Sequence, residues 1–89
     1  MTQITVYSKP SCVQCNGTYR MLDSKLVDYD VIDLTESPTA LEQVKALGYL
    51  EAPVVLVTQE DDLGVPQIVD SWSGLRPDKI DEWAAKVAA

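Results

Sequence analysis

The sequence has no histidine and no phenylalanine, only two cysteines and four glycines, and seven lysines or arginines against fourteen aspartates or glutamates. Each shortage removes a class of chemistry. Without histidine, neither a Cys-His hydrolase nor a Ser-His-Asp triad can be assembled. A structural zinc site built from four Cys or His ligands would lack half of them. With a net charge of -7 and its few cations scattered, the chain offers no phosphate-binding face, which sets nucleic acid aside and leaves proteins as the expected partners. No apolar run approaches the length that spans a membrane. The opening "MTQITVYSK" alternates polar and apolar residues where a secretion signal would carry a continuous apolar core. A cytoplasmic location with no membrane association is therefore expected. Cytoplasmic thiols are kept reduced, so a close cysteine pair there is more readily catalytic or metal-binding than a permanent cross-link.

What is present fits one compact unit. A chain of 89 residues with 46% hydrophobic and 24% charged content is near the globular average, and the expected organisation is a single domain over residues 1–89. Ile4 to Tyr7 reads as a strand, about Val13 to Leu26 as a helix, and Tyr29 to Leu34 as a second strand, which together make a right-handed parallel crossover. Gly17 inside the first helix costs about 1 kcal/mol against alanine and is read as a close approach of that helix to a strand. In "ESPTALEQVKALGY", Ser37 is the expected N-cap and Pro38 the first helical residue. Leu41, Val44 and Leu47 share one side, and Gly48 lies just past the end. "PVVLV" and "PQIVDSW" read as strands turning around Gly64 and pairing antiparallel, and the acidic "TQEDDLG" between them as a solvated loop tip. The final helix starts at Pro77, with Ile80, Trp83, Ala84 and Val87 on its apolar side. The element order is thus βαβ, α, ββα.

The two cysteines, Cys12 and Cys15, fall at the first strand-to-helix junction in "TVYSKPSCVQCNGTYRML". Three helical residues separate them, so both face the same side and their Cα separation suits a disulfide. At the mouth of the helix, free backbone N–H groups and the positive end of the dipole favour negative charge on Cys12. Thiolates so placed have pKa values lowered from about 8.5 to between ~3.5 and ~7.5. Cys12 is then a nucleophile at neutral pH, and the more shielded Cys15 acts second. A structural bridge closing so short a loop would stabilise little, and an iron-sulfur cluster shared between two copies would need thiolates from both. Thiol-disulfide exchange is the reading that survives.

The segments "YSKPSCVQC", "APVV" and "WSGLRPDKI", in that order and spacing, resemble NrdH-redoxin, the glutaredoxin-like family of the thioredoxin superfamily, from about Ile4 to Trp83. The resemblance implies an α/β thioredoxin/glutaredoxin-like fold, a four-stranded mixed sheet flanked by three helices. It implies a thiol-disulfide oxidoreductase, monomeric and without a bound cofactor, whose redox-active disulfide is Cys12–Cys15. Cys12 attacks a partner disulfide and Cys15 resolves the mixed disulfide. Electrons come from NADPH through thioredoxin reductase and go to the large subunit of class Ib ribonucleotide reductase. Ala52-Pro53 occupies the family's cis-proline position. Lys9, Val13 and Gln14 are expected beside the nucleophile, with Lys9 helping to hold the thiolate and the Val13-Gln14 dipeptide altering redox poise. Trp72, Ser73, Gly74 and Arg76 stand where ordinary glutaredoxins carry a Gly-Gly-acidic segment that holds glutathione. A glutathione-dependent glutaredoxin is the alternative. Glu51 is expected to point into solvent, because a carboxylate turned inward would oppose thiolate formation. Arsenate-reductase-like and transcription-regulating relatives with a C-x-x-C at this junction are longer, with helices this chain lacks.

Overall fold

A computed structural model describes residues 2–88. The elements are β1 (Thr2–Ser8), α1 (Val13–Ser24), β2 (Asp30–Asp33), α2 (Pro38–Ala46), β3 (Val54–Glu60), β4 (Pro66–Ser73) and α3 (Pro77–Ala88). They form one mixed sheet in the order β2-β1-β3-β4. The first crossover is parallel, with β1 paired to β2 from Thr5 opposite Asp30 to Ser8 opposite Asp33. β3 runs antiparallel to both β1 and β4, as the short link around Gly64 requires.

The continuous apolar run at the start of β3 follows from its position: it is a central strand covered on both faces, so neither set of alternating side chains meets water. Val55 and Val57 face one way, with Ile4, Val6, Trp72 and the residues of α1 and α3 that include Leu22, Ile80 and Trp83. Val54 and Leu56 face the other way, with Tyr7 and the Ala40 and Val44 side chains of α2. Burying each such side chain contributes roughly 1.5–3 kcal/mol, so β1 and β3 carry both layers of the core. Burial also pushes the Tyr7 phenol above its ordinary pKa and keeps it neutral.

Two side chains expected on apolar helix faces, Leu47 and Val87, are exposed instead. α2 stops at Ala46, with Leu47 as its C-cap and Gly48 at φ 90°. Tyr49 N–H returns to the Val44 carbonyl at 3.1 Å and Gly48 N–H to Lys45 at 2.9 Å. This Schellman closure turns the chain so that Tyr49, rather than Leu47, packs on the α2 core, and Leu47 is left 43% exposed. Val87, expected on the apolar side of α3, is likewise 41% exposed and lines a groove with Thr2, Ile4 and Thr58.

α1 ends two residues earlier than expected in the same closure, Val27 N–H to Leu22 O at 3.0 Å and Leu26 N–H to Asp23 O at 3.0 Å. Here the left-handed position is held by Leu26, at φ 58° and 92% exposed. A leucine there has the steric cost of that conformation and no packing to offset it. Leu26→Gly is expected to stabilise the protein by about 0.5–1 kcal/mol once the greater unfolded-state freedom of glycine is subtracted. Thermal unfolding checks it, and a lower melting temperature would refute it.

The acidic hairpin tip has a structural role beyond solvation. The Asp61 side chain accepts the N–H groups of Leu63 at 2.8 Å and Val65 at 2.9 Å, which fixes the turn between β3 and β4.

Candidate functional site

Three chain segments converge at one end of the sheet: the end of β1, the start of β3 and the end of β4. The register places Tyr7 opposite Val54 and Val54 opposite Ser73, so the residues that follow Tyr7, precede Val54 and follow Ser73 meet at one edge. The loop after β1 is Lys9-Pro10-Ser11. Ser11 sits at φ 58°, a left-handed turn that swings the chain from the strand into α1. Nothing in the sequence signalled it, since serine has no special tolerance for that region.

Cys12 then takes the N-cap of α1 in extended conformation, and its sulfur accepts the Cys15 backbone N–H at 3.1 Å. The two sulfurs are bonded as a disulfide with Cα atoms 5.2 Å apart. The sulfur stands where a capping oxygen would, so the same N–H is placed to stabilise a thiolate on Cys12 after reduction. Exposure is 7% at Cys12 and 1% at Cys15, which fits attack through the outer sulfur and resolution through the inner one. Among the described residues no group of three or more His, Cys, Asp or Glu is gathered that could hold a metal ion.

Facing the disulfide helix, the Ala52-Pro53 bond is cis. The Pro53 carbonyl accepts the Gly74 N–H at 2.8 Å, and the Ser73 hydroxyl donates to the Glu51 carbonyl at 2.8 Å. On its other side the same short segment is held by α1. Gln14 Oε1 accepts the Leu75 N–H at 2.9 Å. Gly74, at φ 83°, lets that amide approach: a Cβ there would lie 3.0 Å from Gln14 Oε1. One turn further along α1, a Cβ on Gly17 would lie 3.0 Å from Leu75 Cδ2. The close approach expected at Gly17 is therefore to the loop between β4 and α3, not to a strand. Residues 73–75 tie the disulfide helix to the proline loop.

The remaining site candidates divide. Lys9, three positions before Cys12, and Val13, the residue after it, are exposed, Val13 at 83%, and Glu51 is exposed, while Ala52 is half-buried. Trp72 does not reach the surface. It is 3% exposed inside the main core, and its Nε1 has no hydrogen-bond partner among the described residues. Its place opposite Val55 lets it support the neighbouring segment but not touch a substrate. Arg76 is exposed at the start of α3. Its guanidinium forks onto Asp78 at 3.0 and 2.8 Å, and its carbonyl accepts the Ile80 N–H as the start of α3. The guanidinium hydrogen bond holds the Asp78 carboxyl down at about 2. Leu75, between the candidates Gly74 and Arg76, was missed by sequence reasoning because its contribution is a backbone N–H and a contact with a glycine 58 positions away.

Comparison with known proteins agrees with this geometry. The glutaredoxin family model matches residues 4–61. The glutaredoxin-like protein NrdH of Escherichia coli strain K12 is 37% identical over 78 residues, covering 88% of this chain and 84% of that protein. The gene 56 protein of Mycobacterium phage D29 is 36% identical over 81 residues, covering 91% of this chain and 81% of that one. The solved NrdH-redoxin of Escherichia coli, studied for a thioredoxin-like activity profile, superposes with a TM-score of 0.73 at 35% identity, over 90% of this chain and 92% of its own. A glutaredoxin from Archaeoglobus fulgidus, at 23% identity and a TM-score of 0.69, shares the fold. A thioredoxin-like fold that seats its only two cysteines at the mouth of α1 is thereby given its lineage: the chain belongs to the glutaredoxin family, among the NrdH-redoxins, and is a thiol-disulfide oxidoreductase.

Proposed function

We propose that the protein is a cytoplasmic, monomeric dithiol carrier, recharged by thioredoxin reductase at the expense of NADPH and donating its electrons to class Ib ribonucleotide reductase. The observation that carries the choice of electron source is the Ser73–Leu75 segment, held between Gln14 and Pro53 where glutaredoxins that use glutathione present their Gly-Gly-acidic segment. The thioredoxin-like activity profile of the Escherichia coli relative supports the same choice.

The reaction needs only the two sulfurs. The Cys12 thiolate attacks one sulfur of the acceptor disulfide; that S–S bond breaks, a mixed disulfide forms, and the first acceptor thiolate leaves and takes a proton. Cys15, deprotonated, attacks Cys12 Sγ. The mixed disulfide breaks, Cys12–Cys15 closes, and the second acceptor thiolate leaves. Two electrons pass to the acceptor, and thioredoxin reductase returns two to the protein. Lys9, three positions before Cys12, adds positive potential on the thiolate side. Val13, Gln14, Ala52, Pro53, Ser73 and Gly74 frame the face that the acceptor meets.

The test is NADPH oxidation coupled to disulfide reduction, run with thioredoxin reductase and, in parallel, with glutathione plus glutathione reductase. Turnover with thioredoxin reductase is expected. Turnover confined to the glutathione arm would replace this reading with that of a glutathione-dependent glutaredoxin.

A further inference from the structure

The chain's positive charge is unevenly committed. Of its seven lysines and arginines, four are in ion pairs: Lys25 with Asp81, Arg76 with Asp78, Lys79 with Asp70 and Lys86 with Glu82. Among the described residues, Lys9, Arg20 and Lys45 have no carboxylate within ion-pair distance. Two of those three, Lys9 and Lys45, line one groove of about 250 Å³ between α2 and the loop that leads into β3.

That groove begins at Ala52, next to Pro53, and its walls are largely apolar, including Leu41, Tyr49 and Leu50. Leu50 is 88% exposed, although a leucine of this size gains from burial. Two lysines against the single carboxylate of Glu51 give the lining a net positive charge on a protein whose total is -7. The larger groove at the opposite end of the sheet, about 450 Å³, is lined by Asp28, Asp30 and Glu60 and by no lysine or arginine. Lysines thus line the groove next to the cis-proline loop, with Glu51 and, behind Thr35, the Asp33 carboxylate as the acidic groups nearby, whereas carboxylates are the only charged groups lining the far groove. A surface of this kind attracts and orients anionic partners and repels cationic ones, most visibly in association rate.

We propose that this groove docks the acceptor protein, and that it selects a disulfide-bearing segment flanked by apolar and acidic residues. The apolar flank covers Leu50, Leu41 and Tyr49, and the carboxylates meet Lys9 and Lys45. The inference rests on the carrier reading above and adds the chemistry by which the acceptor is recognised.

The experiment uses protein reduced beforehand with dithiothreitol and freed of it, so that no reductase is involved. Three synthetic peptides with the same intramolecular disulfide and the same flanking leucine differ only in the next two residues: Glu-Glu, Gln-Gln or Lys-Lys. Single-turnover rates are followed by separating oxidised from reduced peptide. The expected order is Glu-Glu, then Gln-Gln, then Lys-Lys, with a step of roughly two- to fivefold per lysine engaged, shrinking as salt is raised to 0.5 M, a concentration chosen to cut the screening length to about 4–5 Å. In Lys45→Glu the Glu-Glu to Gln-Gln ratio falls below one, and in Lys45→Gln, which adds no carboxylate at the helix end, it is intermediate. Arg20→Glu makes the same change in net charge elsewhere and keeps the preference. Equal rates for all three peptides with the wild-type protein overturn the docking inference and leave the carrier standing. So does an equal loss of preference in Lys45→Glu and Arg20→Glu. Failure to reduce any of the peptides overturns the carrier reading itself.

Discussion

Cys12→Ser is expected to lose all turnover, while Cys15→Ser accumulates a mixed disulfide with its acceptor. The asymmetry follows from position. Cys12 is the more exposed sulfur and the one that accepts a backbone N–H, whereas Cys15 is 1% exposed and stands within bonding reach of the Cys12 sulfur. Serine at position 12 caps the helix as well as cysteine does, so the variant folds and its inactivity reports on the nucleophile alone. Mass spectrometry under non-reducing conditions distinguishes the two: a covalent adduct forms with Cys15→Ser and not with Cys12→Ser. Full activity in both variants, or an adduct on Cys15 in the Cys12→Ser protein at the rate the wild type reacts, would remove the dithiol mechanism.

The largest expected effect on stability lies away from the sulfurs, at Asp70 on β4. One of its oxygens accepts from both Lys79 Nζ at 2.9 Å and Trp83 Nε1 at 2.8 Å, and the other from the Ser71 N–H at 2.8 Å. Lys79 and Trp83 are one turn apart on α3, so a single carboxylate fastens that helix to the sheet. Asp70→Ala leaves the Trp83 indole N–H, on a side chain only 6% exposed, without its acceptor and strips Lys79 of its counter-charge. A loss of about 2–3 kcal/mol is expected. At this chain length it corresponds to a fall of roughly 10–20 °C in melting temperature. Unfolding of the variant within about 2 °C of wild type would refute it.

The same site predicts an acid limb in the stability curve. Partial burial opposes ionisation of Asp70, but the hydrogen bonds from Trp83, Lys79 and Ser71 outweigh it and hold the carboxyl below its ordinary value of 3.8. A folded-state value below the unfolded one means that the unfolded chain takes up the proton first. The stabilisation is therefore complete above about 3.8 and is lost as pH falls through the lower folded value. Denaturant titrations from pH 7 to pH 2 should show a smaller acid loss in Asp70→Asn than in the wild type.

Much of this protein was legible before any coordinates. Ser37, Pro38 and Gly48 bounded α2 by cap chemistry alone, and the alternation of β1 and the apolar run of β3 marked these segments as strands, because these signals act within a few residues of where they are read. The redox pair was equally local: two cysteines three positions apart at a strand-to-helix junction leave little other chemistry when histidine is absent. The less local readings were of another kind. Trp72 and Arg76 entered the substrate-binding set through the resemblance of "WSGLRPDKI", with a core role for Trp72 and a helix-start role for Arg76 open from the residues themselves. Strand alternation turns Trp72 into the core, and the Arg76 guanidinium pairs with Asp78 at the surface.

Sequence by itself therefore determined the elements, their order and the chemistry of the two thiols, since propensity, capping and a C-x-x-C spacing are properties of neighbours along the chain. Only the tertiary structure decided that Gln14 binds the Leu75 amide, that Gly17 makes room for the Leu75 side chain, that Asp70 secures α3, and that Lys9 and Lys45 share one groove. Those pairings span from 9 to 61 positions, and most of the side chains involved are polar or small. Hydrophobic periodicity carries no record of which distant donor a given acceptor meets. That is settled when the sheet register and the two faces of packed helices bring them within hydrogen-bonding distance.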